Sequence, residues 1–418
     1  MDAERRGRTP AGLHEGWPPI DHRAMRRRDF LAGSIAAAPG LALGQAPLPE
    51  GRVRARDLGI VTGELGPGPL NAITDVEGVL VGHETIVRGD GALKVGEGPV
   101  RTGVTAVLPH PGIWKAPVLA ATHTLNGDGE LTGTHWVRDL ETLAHPVLIT
   151  NTVSVGAVHD AAIAYAIERH GGGSYLPVVG ETWDGQLNDI DGFHVKREHV
   201  YRAIDAARGG AVAEGSVGGG TGMVCYEFKG GIGTASRRLP ASSGGFTVGV
   251  LLQANFGRRA SLMIGGVPVG REIPLPARAA GGVDVERAVG REGSVIVVLA
   301  TDAPVSSRQL ERMARRATLG LARTGTWSGN GSGDIFIAFS TANRFEPGER
   351  PVERTIRWYD PGRMDPLFAA TVEAVEEAVL NALMKAETMT GVNGRTVEAL
   401  PYDRLRDALR KYGRAGRG

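Results

Sequence analysis

One cysteine, Cys225, stands in 418 residues, so no intrachain disulfide can staple the fold. A lone thiol of this kind is expected to be a small core hydrophobe. Net charge is also missing: the formal balance is +1, which leaves no basic field for nucleic acid. No apolar run in the body of the chain reaches membrane-span length. Histidine stops at His199, no HExxH occurs, and no cysteine pair exists. His123 with His135, or His194 with His199, could meet in space, but those spacings do not define a metal site. Neither a metal nor an organic cofactor is expected. Aromatics are only 5%, whereas glycine is abundant at 62 residues, which implies many tight turns and close backbone approaches.

What is present is ordinary globular composition, 42% hydrophobic and 22% charged, with length for a sizeable core. The N-terminus reads differently from the rest. "MRRRDFLAGSIAAAPGLALGQA", ending at Ala46, places Arg27, Arg28, Phe30 and Leu31 ahead of a moderately apolar stretch and a small-x-small pattern. It resembles a twin-arginine export signal, with a disordered basic tail as the alternative. Residues 1–24 do not look like a signal n-region, so Met25 is a candidate start. Residues 1–46 are read as an extension of this type, and a periplasmic or secreted destination is expected.

From about residue 52, strand and turn signals dominate. "GVLVGHETI", "TGVTAVLPH", "PVLITNT", "YLPVVGET", "GGFTVGVLLQANFG", "SVIVVLA" and "DIFIAFSTAN" read as strands. Helices are expected over "AVHDAAIAYAIERH", "REHVYRAIDAARGG" and "SRQLERMARRATLGLART", the last with Leu310, Met313, Ala314, Ala317 and Leu321 on one face. A long helix opens with Asp365 as N-cap and Pro366 in its first turn, carrying Phe368, Val372, Val375, Val379 and Leu383. A short helix spans about 402–412. Residues 258–292 read as a hydrophilic connection, and the glycine-rich stretches "GGGTGM" and "KGGIGTASRR" as turns, since neither matches a nucleotide-binding loop. Several strands are consecutive, which favours a layered α+β arrangement over a doubly wound parallel sheet.

Chemistry centres on Gly293-Ser294, directly ahead of the apolar run Val295–Leu299. Neither Ser294 nor Ser332 lies in G-x-S-x-G, so no nucleophile elbow is present. A triad with a distant histidine is one alternative, and a plain turn before a strand is another. A third reading gives the pair more meaning. If the Gly293–Ser294 bond is cut, Ser294 carries a free α-amine of pKa near 8, within a few bonds of its own hydroxyl. Nucleophile and base then arrive together. A glycine before the cut also permits the twisted backbone of an N-to-O acyl shift.

The chain from 52 to about 400 resembles the L-aminopeptidase/D-esterase and β-peptidyl aminopeptidase family of self-processing N-terminal-serine hydrolases. The blocks that carry the resemblance are "NAITDVEGVLVGH", "RTGVTAVLPH", "LNGDGELTGTHW", "TNTVSVGAVHDA", "ETWDGQLNDIDGFHV", "FKGGIGTASR", "LLQANFG", "GSVIVVLATDAP" and "GNGSGDIFIAFSTAN", all in one order. The resemblance implies a four-layer αββα sandwich, self-cleaved between Gly293 and Ser294 into an α part, 47–293, and a β part, 294–418, of one hydrolase domain. It implies Ser294 as nucleophile, with Ser332 and Asp334 supporting its amine or hydroxyl and Asn255 as oxyanion donor. Glu181 matches a carboxylate for the substrate's N-terminal ammonium. Trp183 stands where some members have Tyr, which leans towards the β-peptidyl branch. Implied substrates are short peptides, amides or esters, and the implied assembly is a tetramer of αβ units. An acyl transferase like ornithine acetyltransferase is an alternative, although that enzyme's nucleophile is threonine. An uncleaved periplasmic binding protein is the alternative outside enzymes.

Overall fold

The two faces of a single strand explain the layering. In Ser294–Thr301, Val295, Val297 and Leu299 enter one hydrophobic core, while Ile296, Val298 and Ala300 enter another. A strand has a side-chain period of two, so an unbroken apolar run must be covered on both sides. Each fully buried aliphatic side chain contributes roughly 1.5–3 kcal/mol.

The computed structural model describes residues 51–172, 176–275, 293–345, 353 and 355–414. The expected export signal and residues 276–292 of the 258–292 connection lie outside the described residues. Those described fall in one unit, Leu48–Gly418. Its strands are β1 (Leu80–Arg88), β2 (Val100–Leu108), β3 (Val118–Gly127), β4 (Thr142–Leu143), β5 (Val147–Asn151), β6 (Val178–Thr182), β7 (Val224–Cys225), β8 (Phe228–Lys229), β9 (Gly231–Arg238), β10 (Thr247–Asn255), β11 (Ser294–Thr301), β12 (Gly333–Arg344), β13 (Met389–Thr390) and β14 (Thr396–Val397). Its α-helices are α1 (Thr134–Leu140), α2 (Val155–His170), α3 (Arg197–Asp205), α4 (Val269–Glu272), α5 (Ser307–Arg323), α6 (Asp365–Lys385) and α7 (Tyr402–Lys411). Among the described residues, no helix is long and apolar enough to cross a membrane.

Of the two large sheets, one has the order β1-β2-β5-β6 and the other β4-β3-β12-β11-β10-β9; β7 with β8 and β13 with β14 form two-stranded sheets. Helices α2 and α3 pack on the first sheet, α5 and α6 on the second. The result is the four-layer αββα sandwich that the resemblance implied. Within the larger sheet, β11 pairs antiparallel with β10 and parallel with β12. Gln253 on β10 joins the two sheets: its Nε2 donates to the Thr150 carbonyl at 2.9 Å and to Thr182 Oγ1 at 2.8 Å.

Helix α5 follows its sequence closely. Ser306 Oγ accepts from the Gln309 N–H at 3.3 Å, Gln309 Oε1 accepts from the Ser306 N–H at 2.9 Å, and the predicted stripe is buried. This reciprocal capping satisfies two orphan donors at once. Helix α6 departs from expectation in two ways. Met364 occupies the N-cap and Asp365 the first helical position. The helix is also buried almost all round, including Glu373, Glu377 and Asn381. Burial of these carboxylates is possible because β9 supplies Arg237, itself fully buried, which donates to Glu373 at 3.1 Å and to Glu377 at 2.7 Å.

Two of the longer strands went unpredicted, along with the two-residue ones. β3 is the partner of β12, and β9 runs through the "GGIGTASRR" stretch read as turns. The glycines of β9 serve packing: a Cβ on Gly233 would lie 1.9 Å from the Ala378 carbonyl oxygen of α6. The connection after 258 is not simply hydrophilic either, since it holds α4 and buries Val267, Val269 and Ile273. Cys225 is buried as expected, and burial pushes its thiol up to about 12.

Candidate active site

The residues singled out in the sequence converge at one end of the sandwich. Ser294 is the first residue of β11, and its register partner across β10 is Asn255, the last residue of that strand. On the other side, parallel pairing sets Val295 beside Asp334, so Ser332, Gly333 and Asp334 open β12 next to the serine. Glu181 and Thr182 end β6 of the facing sheet, with Trp183 just beyond. The apolar interiors of β10, β11 and β12 fix these ends rigidly, which a precise site requires.

Ser294 is 7% exposed, and its Oγ accepts a hydrogen bond from the Gly333 N–H at 3.1 Å. The Ser332 hydroxyl donates to Asp334 Oδ2 at 2.9 Å and accepts from Asn126 Nδ2 at 3.2 Å. The serine hydroxyl is therefore met by backbone, and Ser332 is held by Asp334 and Asn126. Asn126 was not foreseen. It lies in the quoted "LNGDGEL", next to a register shift where β3 meets β12 between Asp334 and Ile335. Such bulges re-aim side chains beside active sites.

Asn255 is gripped from two sides. Its Oδ1 accepts from the Val224 N–H at 2.8 Å, and its Nδ2 donates to the Trp183 carbonyl at 2.9 Å. An amide nitrogen carries two hydrogens, so one remains for a further acceptor. Gly293 presses directly on this residue: a Cβ there would lie 1.7 Å from the Asn255 carbonyl oxygen and 3.0 Å from Nδ2. The glycine before the serine is thus demanded by close approach, a different reason from the backbone twist considered from sequence.

Glu181 is buried. Its Oε1 accepts from the Glu130 N–H at 3.0 Å, and its Oε2 accepts from the Thr152 hydroxyl. Burial raises its pKa, with the nearby Glu130 and Asp128 adding to the rise, while the Thr152 and Glu130 hydrogen bonds oppose it. Among the described residues no cation lies within salt-bridge distance. The site is compact: a Cβ on Gly129 would sit 3.1 Å from Glu181 Oε1 and 3.0 Å from Gly333 Cα. The carboxylate and the backbone that contacts Ser294 therefore flank the same glycine. Trp183 is 38% exposed, and its ring covers Gly185.

A buried strand-end serine, an amide opposite it and a desolvated carboxylate facing them, in an αββα sandwich, define a hydrolase of the N-terminal-nucleophile architecture. More particularly, the chain belongs to peptidase family S58, whose model matches residues 71–397. It is 47% identical to the β-peptidyl aminopeptidase BapA of Sphingosinicella microcystinivorans, over 91% of this chain and 97% of the relative. The structure of the L-aminopeptidase D-Ala-esterase/amidase of Ochrobactrum anthropi, described as a prototype of serine aminopeptidases and a variant of the Ntn-hydrolase fold, aligns with a TM-score of 0.78. That protein is 45% identical, and the match covers 87% of this chain and 99% of the other. A Burkholderia sp. β-aminopeptidase structure aligns with the same TM-score of 0.78 at 46% identity, over 86% and 99% of the two chains. The chain is a serine aminopeptidase, a hydrolase acting as a peptidase. Neither the acyl transferase nor the binding-protein alternative finds support in these matches.

Proposed function

We propose that the protein cuts its own chain between Gly293 and Ser294 and then removes N-terminal residues from short peptides, amides or esters, β-peptides included. The observation that carries this reading is the position of Ser294, first in an inner strand, with Gly293 packed against the amide of Asn255. In self-cleavage, the Ser294 hydroxyl oxygen attacks the Gly293 carbonyl carbon. The C–N bond breaks, the hydroxyl proton passes to the departing nitrogen, and an ester remains. Water hydrolyses the ester, leaving a Gly293 carboxylate and a free α-amine on Ser294.

That amine then serves as base. It takes the hydroxyl proton as Ser294 attacks the substrate carbonyl, and returns it to the leaving amine. The acyl-enzyme ester is hydrolysed by water with the same group as base. Asn255 Nδ2 donates to the oxyanion, a contribution of about 3 kcal/mol to the barrier. Ser332 and Asp334 orient the Ser294 amine. Glu181, desolvated and with no cation within salt-bridge distance among the described residues, receives the substrate's ammonium, which selects free-amine substrates. Trp183 forms an apolar wall beside it. The names of the β-peptidyl relatives support activity on β-peptides. Residues 47–293 and 294–418 are then two chains of one hydrolase domain. The twin-arginine-like segment supports export to the periplasm or medium, and the family resemblance supports a tetramer of two-chain units.

The test is direct. Wild-type protein should show two bands on a denaturing gel, with the smaller fragment's mass matching a start at Ser294. Ser294→Ala should give one uncut chain that does not hydrolyse aminoacyl anilides. A Ser294→Ala protein that still matures and hydrolyses them sinks the assignment. A panel of α- and β-aminoacyl anilides reads the substrate preference.

A further inference from the structure

Lys229 is a fully buried lysine that the chemistry above does not use. Among the described residues, no carboxylate lies within salt-bridge distance of it. Its Nζ instead donates to three backbone carbonyls, those of Met223 at 2.9 Å, Gly230 at 2.9 Å and Gly220 at 3.4 Å. All three belong to the hairpin loop of residues 220–230, which includes the short strands β7 and β8, and this loop presents the Val224 N–H to Asn255 Oδ1 at 2.8 Å. The same loop meets the other side of the site, where Thr182 Oγ1 donates to Met223 Sδ at 2.9 Å.

We propose that Lys229 is a positioning residue for the oxyanion donor: its ammonium clamps the 220–230 loop, and the clamped loop fixes the amide of Asn255. The inference rests on Asn255 being that donor. Three carbonyl acceptors require three N–H donors, which the ammonium has and the neutral amine does not. The amide of Asn255 is planar, so holding Oδ1 fixes where the hydrogens of Nδ2 point. The loop cannot simply repack without its clamp. A Cβ on Gly230 would lie 2.6 Å from the Ala254 carbonyl oxygen, and one on Gly220 would lie 2.5 Å from the Ile232 nitrogen, so the loop already lies hard against β9 and β10.

Two titratable groups bear on the ammonium. Asp184, buried beyond β6, favours its charge, as Cys225 of β7 would only as a thiolate. Burial opposes both members of the pair, drawing Lys229 down to about 7 and Asp184 up to about 7. Cys225 stays a neutral thiol, since its own value is pushed up to about 12. The clamp is intact while Lys229 is protonated and loosens as pH rises through its pKa.

The experiment is a double-mutant cycle on purified cut enzyme, with rates per mole of cut chain. Asn255→Ala serves as a control on cut enzyme, and Ser294→Ala, which stays uncut, serves as the blank for turnover that does not pass through the serine. Lys229→Met should lower kcat by about 10- to 100-fold, as expected for a misplaced catalytic group, and leave KM within about threefold. Adding Lys229→Met to Asn255→Ala should cost little more than Asn255→Ala alone. An unchanged kcat in Lys229→Met, or losses that multiply in the double variant, overturns the inference. If Lys229→Met does not fold, Asp184→Asn decides. Removing that charge should move the alkaline limb of the kcat profile to lower pH, and a limb that stays put overturns the proposal. Turnover that does not depend on Ser294 and Asn255 in the controls points instead to failure of the site assignment.

Discussion

Glu181 and Glu377 are both buried glutamates, and their surroundings give them opposite tasks. Glu377 on α6 is met by two guanidinium groups: Arg237 at 2.7 Å, and Arg56, whose Nε and Nη2 lie 2.7 and 2.8 Å from its two oxygens. Burial alone would raise its pKa, but Arg56 and Arg237 outweigh burial and hold it below the ordinary carboxylate value. Among the described residues Glu181 receives only a hydroxyl and a backbone N–H, and burial leaves its pKa raised. The first carboxylate is complete within the fold. The second is stabilised best when a cation arrives from outside, as an aminopeptidase substrate provides. A buried carboxylate without a cation is therefore a better pointer to function than a buried carboxylate as such.

The contrast can be broken by exchanging what is removed. Arg237→Met should cost about 3–5 kcal/mol, because two carboxylates are left buried with less compensation. Thermal or urea unfolding reads this, and the turnover of the molecules that remain folded should be near wild type. Glu181→Gln should behave inversely. Its melting temperature should change little, while KM for free-amine substrates rises about 10- to 100-fold, as expected for losing one charged hydrogen bond. Self-cleavage should proceed, since it involves no substrate ammonium. Equal loss of self-cleavage and substrate binding would make Glu181 structural.

A finer separation comes from pH. Glu181, raised, protonates early on acidification, so substrate binding weakens first. Glu377, depressed, contributes stability above its unfolded value and loses it as pH falls through its lower folded value. KM should therefore climb at a pH where the melting temperature is still flat. A coincident onset would erase the distinction drawn here. The smallest change is expected at Gly293, the glycine before the proposed cut. Gly293→Ala puts a methyl group where the Asn255 carbonyl oxygen lies, and overpacking of this kind costs about 1–3 kcal/mol. Self-cleavage, followed by gel, should slow markedly while the sheet stays formed.

Much of this was legible because strand ends collect chemistry. The run Val295–Leu299 announced an inner strand, and the stripe of α5 announced its helix layer. The pairing of Asn255 with Ser294 was not legible, because register between strands forty residues apart leaves no local trace. β3 escaped because "VLAATHTLNG" becomes a strand through its partners β4 and β12 rather than through its own pattern. β9 escaped because its glycines suit a close helix approach as well as they suit turns. Asn126, Thr152 and Lys229 were missed for a related reason: each acts by holding another residue, and a supporting contact across the fold has no spacing to read.

The strand order carries one last consequence. β11 and β12 lie inside the larger sheet, flanked by β10 on one side and β3 on the other. If the Gly293–Ser294 bond opens, the two products are dovetailed, with the shorter chain's strands inserted between strands of the longer one. Pulling them apart means unzipping two hydrogen-bonded seams and both cores together. Such a pair cannot trade partners with its neighbours without unfolding. Two inactive variants, each damaged in a different product and mixed after maturation, should therefore fail to restore activity, whereas the same two refolded together should succeed.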